Sequence, residues 1–254
     1  MNPFDLTGRV AIVTGGNGGI GLGMAKGLTA AGAAIVVAGR NAEKNAAAVD
    51  ALVKSGAKAV SVPFEATDEA AGRKAADAAL KAFGRIDILI NNAGTAVRKR
   101  PEETSLAEWH LVMNTNLTSA FACAQACYPH MVSAGGGKVI SIGSMMSMFG
   151  SQYHASYGAS KGGIVQLTRS LAAAWAKDNI QCNALLPGWI DTDLTRRGRV
   201  EMPGLNERVL ARTPAGRWGM PEDFAGIAVF LASPASDFIT GTAIPVDGGY
   251  SIQA

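Results

Sequence analysis

Residues Arg9–Gly21 read RVAIVTGGNGGIG, in which a short apolar run leads directly into a cluster of glycines. The run Arg9–Thr14 is rich in Val and Ile and does not alternate, which is typical of a strand covered on both faces. A segment of helical length, Ile20–Ala31, follows the glycines. A dinucleotide site requires the order strand, glycine-rich turn, helix, because glycines let the backbone approach a pyrophosphate closely. This stretch therefore predicts an α/β fold that is built outward from a nucleotide-binding turn.

The alternation of strand and helix continues along the rest of the chain. Further strand-like runs occur at Ala34–Ala38, Ala57–Val62, Ile86–Ile90, Lys138–Ile142, Ile180–Leu186 and Thr242–Val246. Segments of helical length lie between them at Ala42–Ser55, Asp68–Phe83, Ser105–Ser133 and Tyr153–Lys177. This order predicts a doubly wound, Rossmann-type parallel sheet of about seven strands with helices on both faces. No low-complexity linker divides the chain, so residues 1–254 are expected to form one domain.

The composition of the chain argues against several classes of protein. Hydrophobic residues make up 48% and charged residues 17% of the sequence, which indicates a globular chain rather than a disordered one. The net charge is +3, and no run of Lys and Arg resembles a recognition stripe, so we expect no nucleic-acid partner. No stretch is apolar for long enough to span a membrane, and the first residues do not resemble a signal peptide. These features predict a cytoplasmic protein.

The cysteines and histidines give no sign of a disulfide framework or a metal site. The cysteine count is three (Cys123, Cys127 and Cys182), which is low and odd and therefore fits a reducing compartment. Cys123 and Cys127 are spaced to share one helical face, where they could pack as small apolar residues or bind a metal. No histidine has metal-ligand spacing relative to another His or Cys, so we expect no metal.

The least regular stretch of the sequence runs from Pro187 to Arg217 and contains several prolines and glycines. An insertion of this length after a strand could be a mobile lid over a ligand. We therefore assign a substrate lid to residues 188–217. A surface loop with no role is the alternative.

The residues after the second strand distinguish between the two nicotinamide cofactors. An NAD site usually has an acidic residue there, which binds the ribose hydroxyls of the adenosine. This chain has Arg40 and Asn41 instead. No carboxylate is present to repel a 2′-phosphate, and a guanidinium is available to pair with one. NADP(H) is therefore the preferred cofactor, and NAD(H) with a solvated Arg40 is the alternative.

Tyr157 and Lys161 are spaced to share one face of a helix. A free tyrosine has a pKa of about 10 and is a poor base at neutral pH. A nearby ammonium stabilises the phenolate, so we expect Lys161 to lower the pKa of Tyr157. The pair could then act as a general acid in a reduction and as a general base in an oxidation.

Together these features resemble the short-chain dehydrogenase/reductase family along nearly the whole chain. The resemblance rests on six motifs: Thr14–Gly21 (T-G-x-x-x-G-I-G in the family), Asn91-Asn92-Ala93-Gly94, Asn116, Ser144, Tyr157-x-x-x-Lys161 and Pro187-Gly188. It implies an oxidoreductase that moves a hydride between NADP(H) and a carbonyl or secondary alcohol.

The resemblance also implies a role for each catalytic residue. Tyr157 is the proton donor and acceptor, and Lys161 lowers its pKa and binds the nicotinamide ribose. Ser144 hydrogen-bonds to the substrate oxygen. Asn116 holds a water molecule in a proton relay behind Lys161.

The expected cofactor contacts come from six parts of the chain. One position differs from the usual family pattern: Glu65 stands where the family often has an Asp near the adenine amino group. Its carboxylate can still accept a hydrogen bond from that amino group. The full set is Gly15, Asn17, Gly18, Gly19, Ile20 and Gly21 at the pyrophosphate, Arg40, Asn41 and Glu65 with Asn92, Ala93 and Gly94 at the adenosine, Tyr157 and Lys161, and Pro187, Gly188, Ile190 and Thr192 at the nicotinamide.

Two basic runs are expected beside the substrate, Arg98-Lys99-Arg100 and Arg196-Arg197-Gly198-Arg199. They favour an anionic substrate, or else they are solvated or offset the cofactor phosphates. The runs Ser144–Ser147, Asn179–Asn183 and Thr213–Gly219 resemble the branch of gluconate 5-dehydrogenases and 2-deoxygluconate 3-dehydrogenases, which implies a sugar acid. The alternatives are a 3-oxoacyl thioester, or a neutral sugar, polyol or ketone.

Three further residues are candidates for substrate contact: Arg98, His154 and Trp189. Packing is an equally good explanation for His154 and Trp189. A protein that senses NADP(H) without turnover is a different class of function, but Tyr157 and Lys161 are both present, and that argues against it. The resemblance also implies a homotetramer.

Overall fold

Seven strands form one sheet in the computed structural model, which describes residues 2–253, apart from the side chains of residues 194, 197 and 201. The strands are β1 (Val10–Thr14), β2 (Ala34–Gly39), β3 (Ala59–Pro63), β4 (Ile88–Asn91), β5 (Gly137–Ile142), β6 (Ile180–Pro187) and β7 (Ala243–Val246). Their order is β3-β2-β1-β4-β5-β6-β7, and every neighbouring pair is parallel. The predicted seven-stranded parallel sheet is confirmed.

The strand order reverses at β1, which pairs with β2 on one side and with β4 on the other. Helices that follow β1 and β4 therefore leave the sheet toward opposite faces. In open α/β sheets a crevice forms at such a point, outside the carboxyl ends of the strands. The fold thus places the functional site beyond Thr14 and Asn91.

Helices cover both faces of the sheet, as predicted. They are α1 (Gly19–Ala30), α2 (Ala42–Lys54), α3 (Ala71–Phe83), α4 (Leu106–Met113), α5 (Ser119–Ser133), α6 (Ala155–Trp175), α7 (Asp193–Glu201), α8 (Leu205–Arg212) and α9 (Ala225–Ala232). Along β1, Ala11 and Val13 pack in the core under α1 and α9, whereas Val10 and Ile12 pack in the core under α3 and α5. All four side chains are buried, and this explains the unbroken apolar run in the sequence.

Cys123 and Cys127 lie in the core beneath α3 and α5 as free thiols, and Cys182 is buried in β6. Burial raises the pKa of Cys123 to about 12. A thiol in such surroundings is a small apolar packing residue and a poor nucleophile.

The predicted helix Ser105–Ser133 is two α-helices joined by a π-helical turn at Asn114–Thr118. The turn carries Asn116, whose side-chain oxygen accepts from the Thr95 N–H (2.8 Å) and whose side-chain nitrogen donates to the Thr95 carbonyl (2.9 Å). Single π turns inside helices often mark functional sites.

The segment 188–217 is more regular than its sequence indicated, because it contains α7 and α8. Thr192 caps α7 by accepting from the Thr195 N–H (3.5 Å). Pro203 lies between the two helices, and Pro187 and Pro214 lie outside them. The prolines therefore bound these helices rather than preventing them.

Within residues 2–253, no helix combines the length and apolar character needed to cross a membrane. The same residues contain no cluster of three or more His, Cys, Asp or Glu side chains arranged to hold a metal ion.

Candidate active site

A cleft of about 350 Å³ opens at the carboxyl ends of β1, β4, β5 and β6. It brings together residues that are far apart in the sequence. The predicted site residues in its lining are Asn17, Gly18, Gly19, Ile20, Asn92, Gly94, Ser144, Tyr157, Lys161, Pro187, Gly188, Ile190 and Thr192.

The remaining predicted residues lie around this cleft rather than in its lining. Gly15, Gly21, Ala93 and Asn116 contact the lining residues from behind. Arg40, Asn41 and Glu65 follow β2 and β3 at the outer end of the site.

The glycines of the first turn are needed for close packing. Gly15 has a positive φ of 64°, which side chains other than glycine rarely adopt. A Cβ atom at Gly21 would overlap the carbonyl oxygen of Gly15 and lie 2.5 Å from Nδ2 of Asn92. The turn can therefore keep its shape only without side chains at these positions.

Thr14 and Asn92 hold this turn against the end of β4. The Thr14 hydroxyl accepts from the N–H groups of Asn92 and Ala93 (both 3.0 Å) and donates to the Ile90 carbonyl (3.2 Å). The Asn92 side chain donates to the carbonyls of Thr14 (3.0 Å) and Gly15 (3.1 Å). Asn92 therefore shapes the turn through its side chain, in addition to lining the cleft.

The start of α1 offers free hydrogen-bond donors to the cleft. Within the described residues, the N–H groups of Gly19 and Ile20 donate to no protein group. A Cβ atom at Gly18 would meet nothing within 4 Å. Free N–H groups and the positive end of a helix dipole fit a pyrophosphate.

Two asparagines link the turn to the end of β2. Asn17 donates to the side-chain oxygen of Asn45 (2.6 Å), and the buried Asn45 donates to the Gly39 carbonyl (2.8 Å). Sequence reasoning missed Asn45, because its partners come from two other segments of the chain.

The residues expected at the adenosine lie at the protein surface. The Arg40 side chain is 74% exposed, and its guanidinium lies 4.0 Å from the Glu65 carboxylate. Asn41 caps α2 by accepting from the Lys44 N–H (2.8 Å). Arg40 is therefore free to turn toward a phosphate group.

Tyr157 and Lys161 lie on α6, and both line the cleft. The Lys161 ammonium donates to the Ile142 carbonyl at the end of β5 (2.6 Å) and lies 5.7 Å from the centre of the Tyr157 ring. The Lys161 residue is only 4% exposed. The backbone of β5 therefore fixes the position of this buried cation.

The pKa of Tyr157 differs from the sequence-based expectation. Burial raises the pKa of Tyr157, and the Ser144 hydroxyl offsets only part of the rise. Burial also lowers the pKa of Lys161 to about 8. The protein residues alone thus favour a neutral phenol, because burial penalises the charged forms of both groups.

Ser144 follows β5 and begins a short 3₁₀ segment, Met145–Ser147. Its hydroxyl accepts from the Met146 N–H (3.1 Å), and its own N–H donates to the Ser147 hydroxyl (3.1 Å). Ser147 in turn donates to the Lys161 carbonyl (2.7 Å). Ser144 and α6 are therefore held in a fixed relation.

Asn116 connects the loop after β4 to α6. In addition to its bonds to Thr95, its side-chain nitrogen donates to the Ser160 hydroxyl (2.9 Å). Ser160 donates to the Tyr157 carbonyl (2.8 Å). The π turn therefore braces the helix that carries both Tyr157 and Lys161.

Comparison with known proteins agrees with this geometry. Residues 15–251 match the family model described as Enoyl-(Acyl carrier protein) reductase. A 2-dehydro-3-deoxy-D-gluconate 5-dehydrogenase of Formosa agariphila is 42% identical over 97% of this chain and 94% of its own length. A gluconate 5-dehydrogenase of Gluconobacter oxydans is 41% identical over 98% and 97%.

A crystal structure of a gluconate 5-dehydrogenase from Burkholderia cenocepacia, in complex with NADP and tartrate, superposes with a TM-score of 0.94. That protein is 41% identical, and the match covers 100% of this chain and 99% of the other. This chain belongs to the short-chain dehydrogenase/reductase family. It is an oxidoreductase of that family, as its sequence motifs predicted.

In this short-chain dehydrogenase/reductase, the predicted substrate residues do not line the nucleotide cleft. The exposed Arg98 stacks on the ring of Tyr153 at 4.7 Å. His154 lies edge-on to Tyr157 with ring centres 6.2 Å apart, and its Nδ1 is 2.9 Å from the Ser151 hydroxyl. Burial and the nearby Arg98 cation lower the pKa of His154. His154 is thus neutral at pH 7 and lies next to Tyr157.

Trp189 lies in a neighbouring hollow, where its ring packs on Trp218 with centres 5.5 Å apart. The guanidinium of Arg199 lies 3.8 Å from the Trp218 ring centre. Trp189 is therefore part of the packing around α8, whose Leu205 and Val209 lie in the same cluster as Trp218.

Most of the described side chains in the two basic runs are neutralised by carboxylates. Lys99 pairs with Glu108, and Arg100 pairs with Glu102 (both 2.5 Å). Arg196 (2.8 Å) and Arg199 (2.5 Å) both bind Asp191. The Arg197 side chain lies outside the described residues. Four of the five described side chains in these runs therefore already have a carboxylate partner, and whether the runs attract an anionic substrate stays a prediction.

Sequence reasoning also missed a contact across the cleft. Lys44 at the start of α2 and Asp193 at the start of α7 both line the cleft, and their charged groups are 3.2 Å apart. Thr95, Gly143 and Thr195 are further lining residues. The chain gave no signal for them, because their proximity depends on the folded arrangement of distant segments.

Proposed function

We propose that this enzyme interconverts a ketone and a secondary alcohol of a sugar acid, using NADP(H). One observation carries the proposal: a single cleft has the glycine turn Gly18–Ile20 on one side and Ser144, Tyr157 and Lys161 on the other. The two sides supply the parts that a hydride transfer needs, which are a dinucleotide cradle and a proton-transfer group.

The residues present fit a phosphorylated dinucleotide. The free N–H groups of Gly19 and Ile20 suit the pyrophosphate, and the exposed Arg40 suits a 2′-phosphate. Ile190 and Thr192 line the same cleft and, as the family resemblance implies, would contact the nicotinamide end. The NADP named in the Burkholderia cenocepacia complex supports this cofactor. When bound, NADPH supplies a hydride and NADP⁺ accepts one.

Tyr157 would transfer the proton. Its raised pKa keeps the phenol protonated at neutral pH, so it can donate to a substrate oxygen during reduction. Ser144 would hold the same oxygen by a hydrogen bond, because its hydroxyl lies close enough to influence the phenol. In the oxidation direction Tyr157 must lose its proton, and a positive charge on Lys161 would then stabilise the phenolate.

Lys161 and Asn116 would assist the proton transfer without contacting the substrate oxygen themselves. Burial lowers the pKa of Lys161 to about 8, so its charge would change at mildly alkaline pH. Asn116 connects Thr95 to Ser160 beside these residues and is the proposed anchor of a proton relay.

The proposed substrate class rests on relatives and on charge. Relatives that cover nearly the whole chain are named for gluconate and for 2-dehydro-3-deoxy-D-gluconate, and one neighbour was crystallised with tartrate, a small hydroxy acid. Arg98 forms no ion pair with any of the described carboxylates and lies close to His154, next to Tyr157. The segment 188–217 would close over such a substrate as a lid.

We also propose a homotetramer in the cytoplasm. The family resemblance implies that the segments Ser105–Ser133 and Tyr153–Lys177 pack against a second copy. Leu106 on α4 and Phe121 on α5 are exposed apolar side chains on the first of these segments. Free cysteines support a reducing compartment. A sedimentation measurement that gave a monomer would contradict the assembly.

A screen of initial rates tests the proposed function. Reduction of 5-ketogluconate and of acetoacetyl-CoA is measured with NADPH and with NADH. Oxidation of glucose is measured with NADP⁺ and with NAD⁺. We expect 5-ketogluconate with NADPH to be the best pair. An Arg40→Ser variant should lose about 10- to 100-fold in kcat/KM for NADPH but little for NADH, because a charged hydrogen bond is removed only from the 2′-phosphate. Activity confined to acetoacetyl-CoA would reject the substrate class, and an unchanged Arg40→Ser variant would reject the role of Arg40.

A further inference from the structure

The guanidinium of Arg212, the last residue of α8, is held between two aromatic rings. Its central carbon lies 5.2 Å from the ring centre of Phe149 and 4.5 Å from that of Tyr250. Its Nε is buried without a hydrogen-bond partner, and no described carboxylate forms an ion pair with it. Arg212 is therefore a fixed, half-buried cation without a protein counter-charge among the described side chains.

The other described arginines between residues 188 and 217 are engaged. Arg196 and Arg199 bind Asp191 at 2.8 and 2.5 Å. Arg217 binds Asp223 at 2.7 Å, and Arg208 donates to the Pro203 carbonyl at 3.3 Å. The lack of a partner thus distinguishes Arg212 from the other arginines of this segment whose side chains the structure describes.

Arg212 lies where the two walls of the reactive end of the cleft approach each other. Phe149 closes the segment that begins at Ser144, because its N–H donates to the Met145 carbonyl (2.9 Å). On the other side, the N–H of Tyr250 donates to the Asp247 carbonyl (3.2 Å). The Cα of Asp247 packs on Gly188, only 2.7 Å from where a Cβ would be, and Gly188 lines the cleft.

Stacked in this way, a guanidinium keeps its edge available for hydrogen bonds. The rings cover its faces, and its planar N–H groups match the two oxygens of a carboxylate. The aromatic contacts also fix its orientation before a ligand arrives, which reduces the entropy cost of binding.

We propose that Arg212 binds the carboxylate of the substrate and thereby selects sugar acids over uncharged sugars. This inference rests on the proposed function, because it names the group that recognises the charge of that substrate. A sugar acid that reacts near one end of its carbon chain carries its carboxylate at the other end. The group that recognises the carboxylate is therefore expected about one substrate length from the Ser144–Tyr157 pair, and the segment that begins at Ser144 ends at Phe149, one of the two rings that hold Arg212.

The test compares 5-ketogluconate with its uncharged amide in steady-state kinetics. Arg212→Gln should lower kcat/KM for the acid by about 10- to 100-fold, mainly through KM, because a charged hydrogen bond is lost. Its kcat/KM for the amide and its Kd for NADPH should stay within about twofold of the wild type. Arg212→Lys keeps the charge but loses the planar fork, so it should show an intermediate loss on the acid alone.

Arg208→Gln, on the same helix, is the matched control. It should leave kcat/KM unchanged for both the acid and the amide. Equal losses on acid and amide for both Arg212 variants would mean that the residue only supports the fold. An Arg212→Gln enzyme that keeps the wild-type preference for the acid would overturn the inference while leaving the proposed function intact. A wild-type enzyme that reduces neither compound would contradict the proposed function, and the role of Arg212 with it.

Discussion

The single residues least free to change are the glycines of the nucleotide turn. Gly21 faces both the Gly15 carbonyl and the Asn92 side chain, and Asn92 is itself bonded to the end of β1. A side chain at Gly21 would therefore push apart the turn and the loop after β4. That displacement would move the free N–H groups at the start of α1, to which the pyrophosphate is expected to bind.

We predict that Gly21→Ala weakens NADPH binding. Overpacking of a close contact costs about 1–3 kcal/mol, which corresponds to about a 5- to 150-fold rise in Kd. The measurement is NADPH titration by fluorescence. Gly226→Ala on α9 is the control, because a Cβ there meets nothing within 4 Å, and it should leave Kd unchanged. Equal affinities for wild type and Gly21→Ala would contradict the role of the turn.

The catalytic and turn residues could be predicted from the chain because each set is local in sequence. Tyr157 and Lys161 are one helical turn apart, and the glycines follow one strand. The supporting partners could not be predicted in this way. Asn45 and Lys44 reach the site from α2, and Thr14 acts through backbone groups of Asn92 and Ala93, so only the folded sheet reveals them. The direction of the Tyr157 pKa shift also required the burial of the ring, which spacing does not show.

Among the secondary-structure elements, β1 and β4 are joined at both ends. Thr14 and Asn92 connect them at the carboxyl end. At the amino end the buried Asp87 carboxylate accepts from the guanidinium groups of Arg9 (2.8 Å) and Arg85 (2.6 Å) and from the Val10 N–H (3.0 Å). Burial alone would raise the pKa of Asp87, but these hydrogen bonds outweigh it and hold the pKa below its ordinary value.

We predict that Asp87→Asn destabilises the fold by about 1–3 kcal/mol at pH 7, since charged hydrogen bonds between the two strands are weakened. Because the folded pKa of Asp87 is lower than the unfolded value, its contribution is present at neutral pH and is lost as the pH falls below about 4. The difference between wild type and variant should therefore shrink in acid. Denaturant unfolding of both proteins at several pH values measures this difference in the free energy of unfolding. Asp50→Asn, in an exposed pair with Lys54, should change stability little, and a pH-independent difference at Asp87 would contradict the account.

The five inner strands were predictable because each is an apolar run buried on both faces. The edge strands β3 and β7 are only partly buried but keep Val or Ile, whereas some helices were not predictable. The α7 sequence DLTRRGRVE is mostly polar and has no apolar stripe, so it forms only with its Thr192 cap and its tertiary contacts. The α9 sequence AGIAVFLA is apolar throughout and shows no helical period. The π turn at Asn114–Thr118 was hidden inside a continuous helical pattern, and its Asn116 bonds to Thr95, a residue from a different segment of the chain.

For the molecule as a whole, the parallel sheet explains why one cleft holds all the reactive parts. The carboxyl ends of β1, β4, β5 and β6 meet at one edge. They present the glycine turn, the Asn92 loop, Ser144 with the Ile142 carbonyl, and Pro187-Gly188 to the same space. The helix α6 adds Tyr157 and Lys161 to the same cleft, and the first residues of the segment 188–217 also line it.

The central claim is that the Tyr157 phenol transfers the proton to a substrate held beside the dinucleotide. Single-turnover reduction of 5-ketogluconate by the Tyr157→Phe enzyme, with NADPH binding measured in parallel, tests it most directly. Tyr128→Phe, which alters a phenol that donates to Asp178 on the surface, is the control. We predict that Tyr157→Phe loses about 10²- to 10⁴-fold in rate while its Kd for NADPH and the rate of the control are unchanged. A Tyr157→Phe rate within a few-fold of the wild type would contradict the account.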